Sequence, residues 1–122
     1  MRLATFRAGE GATALEVVLS EFPGDAGGLL PNINRWRAQV SLPPATLDQV
    51  EADSTPVGAP PMAGRVLHLR GETVHMLGAV LHDTGAGRTR FLKATGAPAV
   101  IEAHKPAFEQ FARSLAAMKE GG

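Results

Sequence analysis

The chain has 122 residues, with 12 lysines and arginines against 12 aspartates and glutamates, and no cysteine. That length suits one domain, residues 1–122, able to bury roughly two-thirds of its unfolded surface in a single core, and 44% hydrophobic with 20% charged residues is ordinary globular usage that excludes wholesale disorder. The charge balance argues against nucleic acid, whose phosphates call for a basic excess, and the missing cysteine excludes disulfides, thiol nucleophiles and thiolate zinc sites.

The opening reads as two strands, Arg2 to Arg7 and Leu15 to Phe22, joined as a hairpin through the turn-prone AGEGAT. Pro23, Gly24 and Asp25 end the second strand. Leu29, Ile33, Trp36 and Val40 then recur on one helical stripe. Pro31 fits only the first turn of that helix, which starts it near Gly28, and Pro43 and Pro44 stop it. In TLDQVEA, Thr46 and Gln49 have capping-box spacing for a short helical turn. DSTPVGAPPMAG reads as a long connection within one domain.

RVLHLR, TVHMLGAVLHD and RTRFLKAT are three β-rich runs broken by Gly71-Glu72 and TGAG, which predicts successive antiparallel strands. The middle run is apolar nearly throughout, as expected of a central strand covered on both faces. Ala97 to Ala117 reads as a helix with Phe108, Phe111, Ala112 and Leu115 on one stripe, broken or kinked at Pro106 so that its main part begins near Lys105. The expected class is α+β, a central antiparallel sheet flanked by helices.

EFPGDAGGLLPNINRWRAQVSLPP, then MLGAVLH, then RTRFLKATGAPAVIEAHKPAFEQFARSL, resembles a group of uncharacterised bacterial envelope and lipoprotein-type domains. Their shared features are a GGxxxNxNRWRxQ helix, an MLGA strand and an FFKxTGP strand leading to a helix with FxxFxxSL. The tail is more loosely similar to PsbP-like proteins of photosystem II and to the Mog family of Ran-binding import factors. The resemblance covers nearly the whole chain and implies a PsbP/Mog-like α/β/α sandwich with a binding or assembly role rather than a catalytic one. This chain departs from the pattern at Pro31 and Pro106, and at RFLKATGA, which lacks an additional aromatic beside Lys93. The resemblance also implies an exported context, periplasmic or envelope-anchored if a leader was trimmed. MRLATFRAGEG has no apolar signal core and no run approaches the roughly 20 apolar residues of a transmembrane helix, so the chain as it stands reads as cytoplasmic.

Trp36 shares the core stripe, while Asn32, Arg35 and Gln39 lie on one flank and Asn34, Arg37 and Ser41 on the other. In one reading Trp36 is a core anchor, and Asn34 and Arg35 tie down neighbouring loops through backbone carbonyls. In the other, Asn32, Asn34, Arg35, Trp36, Arg37 and Gln39 form a binding region, Trp36 fixing the helix while the amides and guanidiniums meet an unknown protein or a small anionic ligand. A two-residue Gly71-Glu72 turn sets His68 directly opposite His75, with β-carbons roughly 5 Å apart, close enough to share a metal. Val66, Arg70, Thr73 and Leu77 share that face, none of them a carboxylate, and Arg70 opposes a cation. His82 falls on the other face.

GEG at 9–11 and GAG at 85–87 read as hairpin loops rather than phosphate loops. Ser20, Ser41, Ser54 and Ser114 sit in no GxSxG elbow, and Asp25, Asp48, Asp53 and Asp83 read as turn or cap residues. No catalytic residue and no cofactor is therefore expected. The leading expectation is a non-catalytic binding or assembly domain; the alternatives are a metal-binding protein using His68 and His75, and a purely structural domain of a longer exported protein.

Overall fold

The computed structural model describes residues 2–9, 11 and 14–117. In chain order the elements are β1 (Arg2–Ala8), β2 (Leu15–Pro23), α1 (Leu29–Gln39), α2 (Leu47–Asp53), β3 (Ser54–Ala59), β4 (Met62–Arg70), β5 (His75–Asp83), β6 (Arg88–Gly96) and α3 (Pro98–Ala117). The strands form one antiparallel sheet in the order β1-β2-β6-β5-β4-β3. The β1–β2 pairing is that of a hairpin, although part of the AGEGAT turn lies outside the described residues. Among the described residues no helix is long and apolar enough to cross a membrane.

The expectation of an α/β/α sandwich is corrected. The domain is a small, β-rich, six-stranded sheet with three helices, 43% strand and 35% helix. One face is covered by the 20-residue α3 through Ile101, Phe108, Ala112 and Leu115. The other carries only the 11-residue α1 and the 7-residue α2, which pack Ile33, Trp36, Val40 and Val50 on Leu67, Leu69, Met76, Val80 and Phe91. These two short helices do not make a complete layer. Phe22 and most of β1 are exposed.

Further differences have local causes. DSTPVGAPPMAG is not an irregular connection but contains β3, a turn at Pro60 and Pro61, and the start of β4. Pro56 is tolerated because β3 is an edge strand, where one side of the backbone needs no ladder partner. α3 runs through Pro106 without a break. Pro106 is exposed, so the Glu102 carbonyl that loses its intrahelical donor can face water. α1 ends at Gln39, before Pro43, because Ser41 turns to positive φ (62°) and Leu42 N–H closes on Arg37 C=O. The Thr46–Gln49 capping box of α2 forms in both directions.

Trp36 seats α1. Its indole is 3% exposed, packs edge-on to Phe91 with centroids 5.5 Å apart, and presses against Gly78 of β5. A β-carbon at position 78 would stand 2.5 Å from Trp36 Cζ3, inside any tolerable contact. The glycine is thus required by the close approach of the ring. Trp36→Ala should cost about 3–5 kcal/mol, a large part of a margin of roughly 5–15. Gly78→Ala should also destabilise, but by less in a Trp36→Leu background than in wild type, a non-additivity that urea melts of the four proteins would measure.

Candidate functional site

The two flanks of α1 are mostly engaged within the chain. Asn32 is buried; its Nδ2 donates to Ala26 O at 2.9 Å and Gly28 O at 2.6 Å, and its Oδ1 accepts from Arg35 Nη2. It thereby closes the positive-φ turn through Ala26, Gly27 and Gly28 that leads into the helix. On the other flank Asn34 exchanges two bonds with Ala45, donating to its carbonyl at 3.1 Å and accepting from its N–H at 2.8 Å. Arg37 Nε donates to Pro43 O at 2.7 Å. Asn34 therefore ties down a loop as the structural reading of the sequence expects, whereas Arg35 is held by Asn32.

The outer half of the first flank is different. β2 pairs with β6 so that Val18 stands beside Lys93, and the same face of these strands carries Ser20, Phe22 and Phe91. Arg35 and Gln39, one turn apart on α1, overhang it and close a cavity of about 130 Å³ with Trp36 in its wall. Lys93 Nζ donates to Gln39 Oε1 at 3.0 Å, a neutral partner. Its pKa is lowered, first by burial and then by the Arg35 guanidinium. Two cations are thus gathered at one cavity with no carboxylate partner among the described residues; Glu16, farther along the same face of β2, pairs with neither. Elsewhere the chain balances such charges. Arg88 and Arg90 share Glu21 at 3.1 Å each, and Arg88 also reaches Asp83 at 3.6 Å. Arg37 lines a separate cavity of about 360 Å³ on the far side of α1, where Asp53 also lies.

The histidine expectation is half corrected. β4 and β5 are joined by a four-residue loop, Gly71 to Val74, and Arg70 rather than His68 opposes His75. His68 opposes Leu77. This two-residue offset preserves the face, so His68 and His75 meet as diagonal neighbours, with His68 Nε2 and His75 Nδ1 2.9 Å apart. A carboxylate is also present where the sequence showed none: Glu102, from the second turn of α3, has Oε1 3.9 Å from His68 Nε2 and 3.6 Å from Arg70 Nε. His82 lies on the opposite face against Thr89 Oγ1 at 3.0 Å.

The His68 side chain is 3% exposed, and its Nδ1 is buried without a hydrogen-bond partner among the described residues. Its pKa is lowered from 6.5 to about 4, chiefly by burial, then by Arg70 and Lys105, with Glu102 acting weakly the other way.

Sequence reasoning missed Lys93 and Glu102 as members of these groups because each arrives from another element. A lysine between apolar neighbours in RTRFLKAT was the available signal for the first; for the second there was none short of the azimuth of α3. A scan of protein-family models, a search of curated proteins and a search of solved structures find no match to the chain.

Because the folded pKa of His68 is depressed, the unfolded chain binds the extra proton first, and stability that is full above pH 6.5 falls as pH drops from 6.5 toward 4. The Tm advantage of wild type over His68→Gln should shrink across that window in pH-stepped melts. Lys93→Met should raise Tm at neutral pH by removing a half-buried, unbalanced charge. A lysine serving only the fold would give the opposite sign.

Proposed function

We propose that this is a non-catalytic binding domain for a small oxyanion, a carboxylate or phosphate group, held at the cavity between α1 and strands β2 and β6. The single observation that carries the reading is the meeting of Arg35 and Lys93 with no acid between them. Two like charges brought together at a half-buried place cost stability. An anion received there would relieve the cost and gain charge-assisted hydrogen bonds from a guanidinium and an ammonium. Gln39 and Ser20 supply neutral donors on two sides, and the aromatic wall of Phe22, Trp36 and Phe91 reduces competition from water. Asn32, bonded to Arg35, fixes the guanidinium rather than touching the ligand. Asn34 and Arg37 serve the loop on the opposite side of the helix.

Trp36 is the chain's one tryptophan and forms part of the cavity wall, so its fluorescence reports directly on occupancy. Titrating the full chain with inorganic phosphate, sulfate, acetate and succinate should give a saturable change with at least one of them, together with a rise in Tm. Arg35→Gln and Lys93→Gln should each weaken that binding by roughly 10- to 100-fold, the worth of one charged hydrogen bond. Binding should also fade with rising pH sooner than an ordinary lysine would allow, because Lys93 loses its proton early. No response to any of the four anions, or a response indifferent to both substitutions, would overturn the reading.

A further inference from the structure

We infer that His68, His75 and Glu102 form a binding site for a divalent transition metal of the imidazole-seeking class: zinc, cobalt, nickel or copper. The site lies on the α3 face of the sheet, opposite the Arg35–Lys93 cavity, and owes nothing to the oxyanion reading. One ligand atom from each residue falls within 4.8 Å of the others, the only such group of three among the described residues. Two imidazole nitrogens and one carboxylate oxygen are a donor set these metals accept, with bonds of about 2.0–2.2 Å. Tetrahedral ligation then places donor atoms roughly 3.4 Å apart. The imidazole pair at 2.9 Å has to open by a small amount, and the Glu102 oxygen, 3.9 Å from His68 Nε2 in a group that spans up to 4.8 Å, has to swing inward by a larger one.

Each side chain has the freedom its part requires. His68 is packed in place, its side chain 3% exposed. His75 is only partly buried and adjoins the Gly71-to-Val74 loop. Glu102 is half exposed on α3 and can turn toward the pair. Three protein ligands leave a fourth position facing solvent on the Glu102 side. Binding would clamp the early turns of α3 to the end of the β4–β5 hairpin.

Arg70 is the group that sets the site's strength. It competes with the metal for Glu102 across 3.6 Å and, with Lys105, places positive charge near His68. Its removal therefore frees the carboxylate and lifts a repulsion. A merely structural histidine pair, or metal caught by two surface imidazoles, has no reason to respond to Arg70 in that direction.

The test uses the untagged full chain, stripped with chelator and titrated with Co²⁺ by visible absorption and with Zn²⁺ by calorimetry. The expected result is one metal per chain, a saturable cobalt spectrum and a higher Tm. His75→Gln should weaken binding by tenfold or more, Glu102→Gln should weaken it several-fold, and Arg70→Gln should tighten it several-fold. The last two residues are exposed, so these variants decide the matter even if His75→Gln does not fold. Metal well below one equivalent, or an affinity that neither Glu102→Gln nor Arg70→Gln changes, would overturn the site.

Discussion

The contact of the Trp36 indole with the bare backbone of Gly78 fixes the azimuth of α1, and most of what is distinctive about the molecule depends on it. Glycine in a central strand weakens that strand, since it has no side chain to pack and more freedom to lose. Here the loss is offset because the indole occupies the space of the missing β-carbon and buries nearly all its surface against Phe91 and β5. Once the ring is seated, the rest of the helix has no rotational choice. Arg35 and Gln39 are turned over β2 and β6, where Lys93 stands, and Asn34 and Arg37 are turned toward the 41–46 segment that leads to α2. A rotation of one residue would send Arg35 into the core.

Much of this was legible in the sequence, for a physical reason. Side-chain direction follows the period of the element, so the Leu29, Ile33, Trp36, Val40 stripe named the buried side of α1, and the unbroken apolar run of β5 named the strand covered on both faces. The histidines show how far such reasoning survives an error. A Gly71-Glu72 turn puts the register wrong by two residues, yet two is the period of the strand, so His68 and His75 still share a face and still touch. An error of one would have separated them. β3 went unread because Pro56 and Gly58 weigh against a strand, and only its place at the edge of the sheet makes them harmless. The full sandwich failed for a matter of length: α1 and α2 together are shorter than α3 and cannot screen six strands.

The two charged groups differ in kind from the rest of the molecule's polar chemistry. Asn32 and Asn34 meet backbone groups with near-complete satisfaction, and the Glu21, Asp83, Arg88, Arg90 cluster sets two acids against two arginines. Those arrangements explain themselves through folding, because the asparagines close backbone groups and the cluster sets its charges against one another. The Arg35–Lys93 cavity instead creates an imbalance, and the buried His68 imidazole lies within the field of the Arg70 and Lys105 cations. Departures of this sort from local consistency concentrate where a protein has something to bind.

The sheet also keeps the two groups apart. Lys93 projects from β6 toward α1, and His68 and His75 project from β4 and β5 toward α3, so no side chain is shared between them. What joins them is β5 itself, whose Gly78 seats Trp36 on one face while its His75 meets His68 on the other. Gly78 pairs directly with Lys93 across the β5–β6 ladder, and His75 pairs with Arg70 across the β4–β5 ladder. β5 is the most completely buried strand of the six, hydrogen-bonded along both edges, and rigid elements hold a constellation better than loops do. Both groups are therefore built outward from the least deformable part of the fold, and each is completed by an exposed side chain from a covering helix, Arg35 held by Asn32 on α1 and Glu102 free to turn on α3.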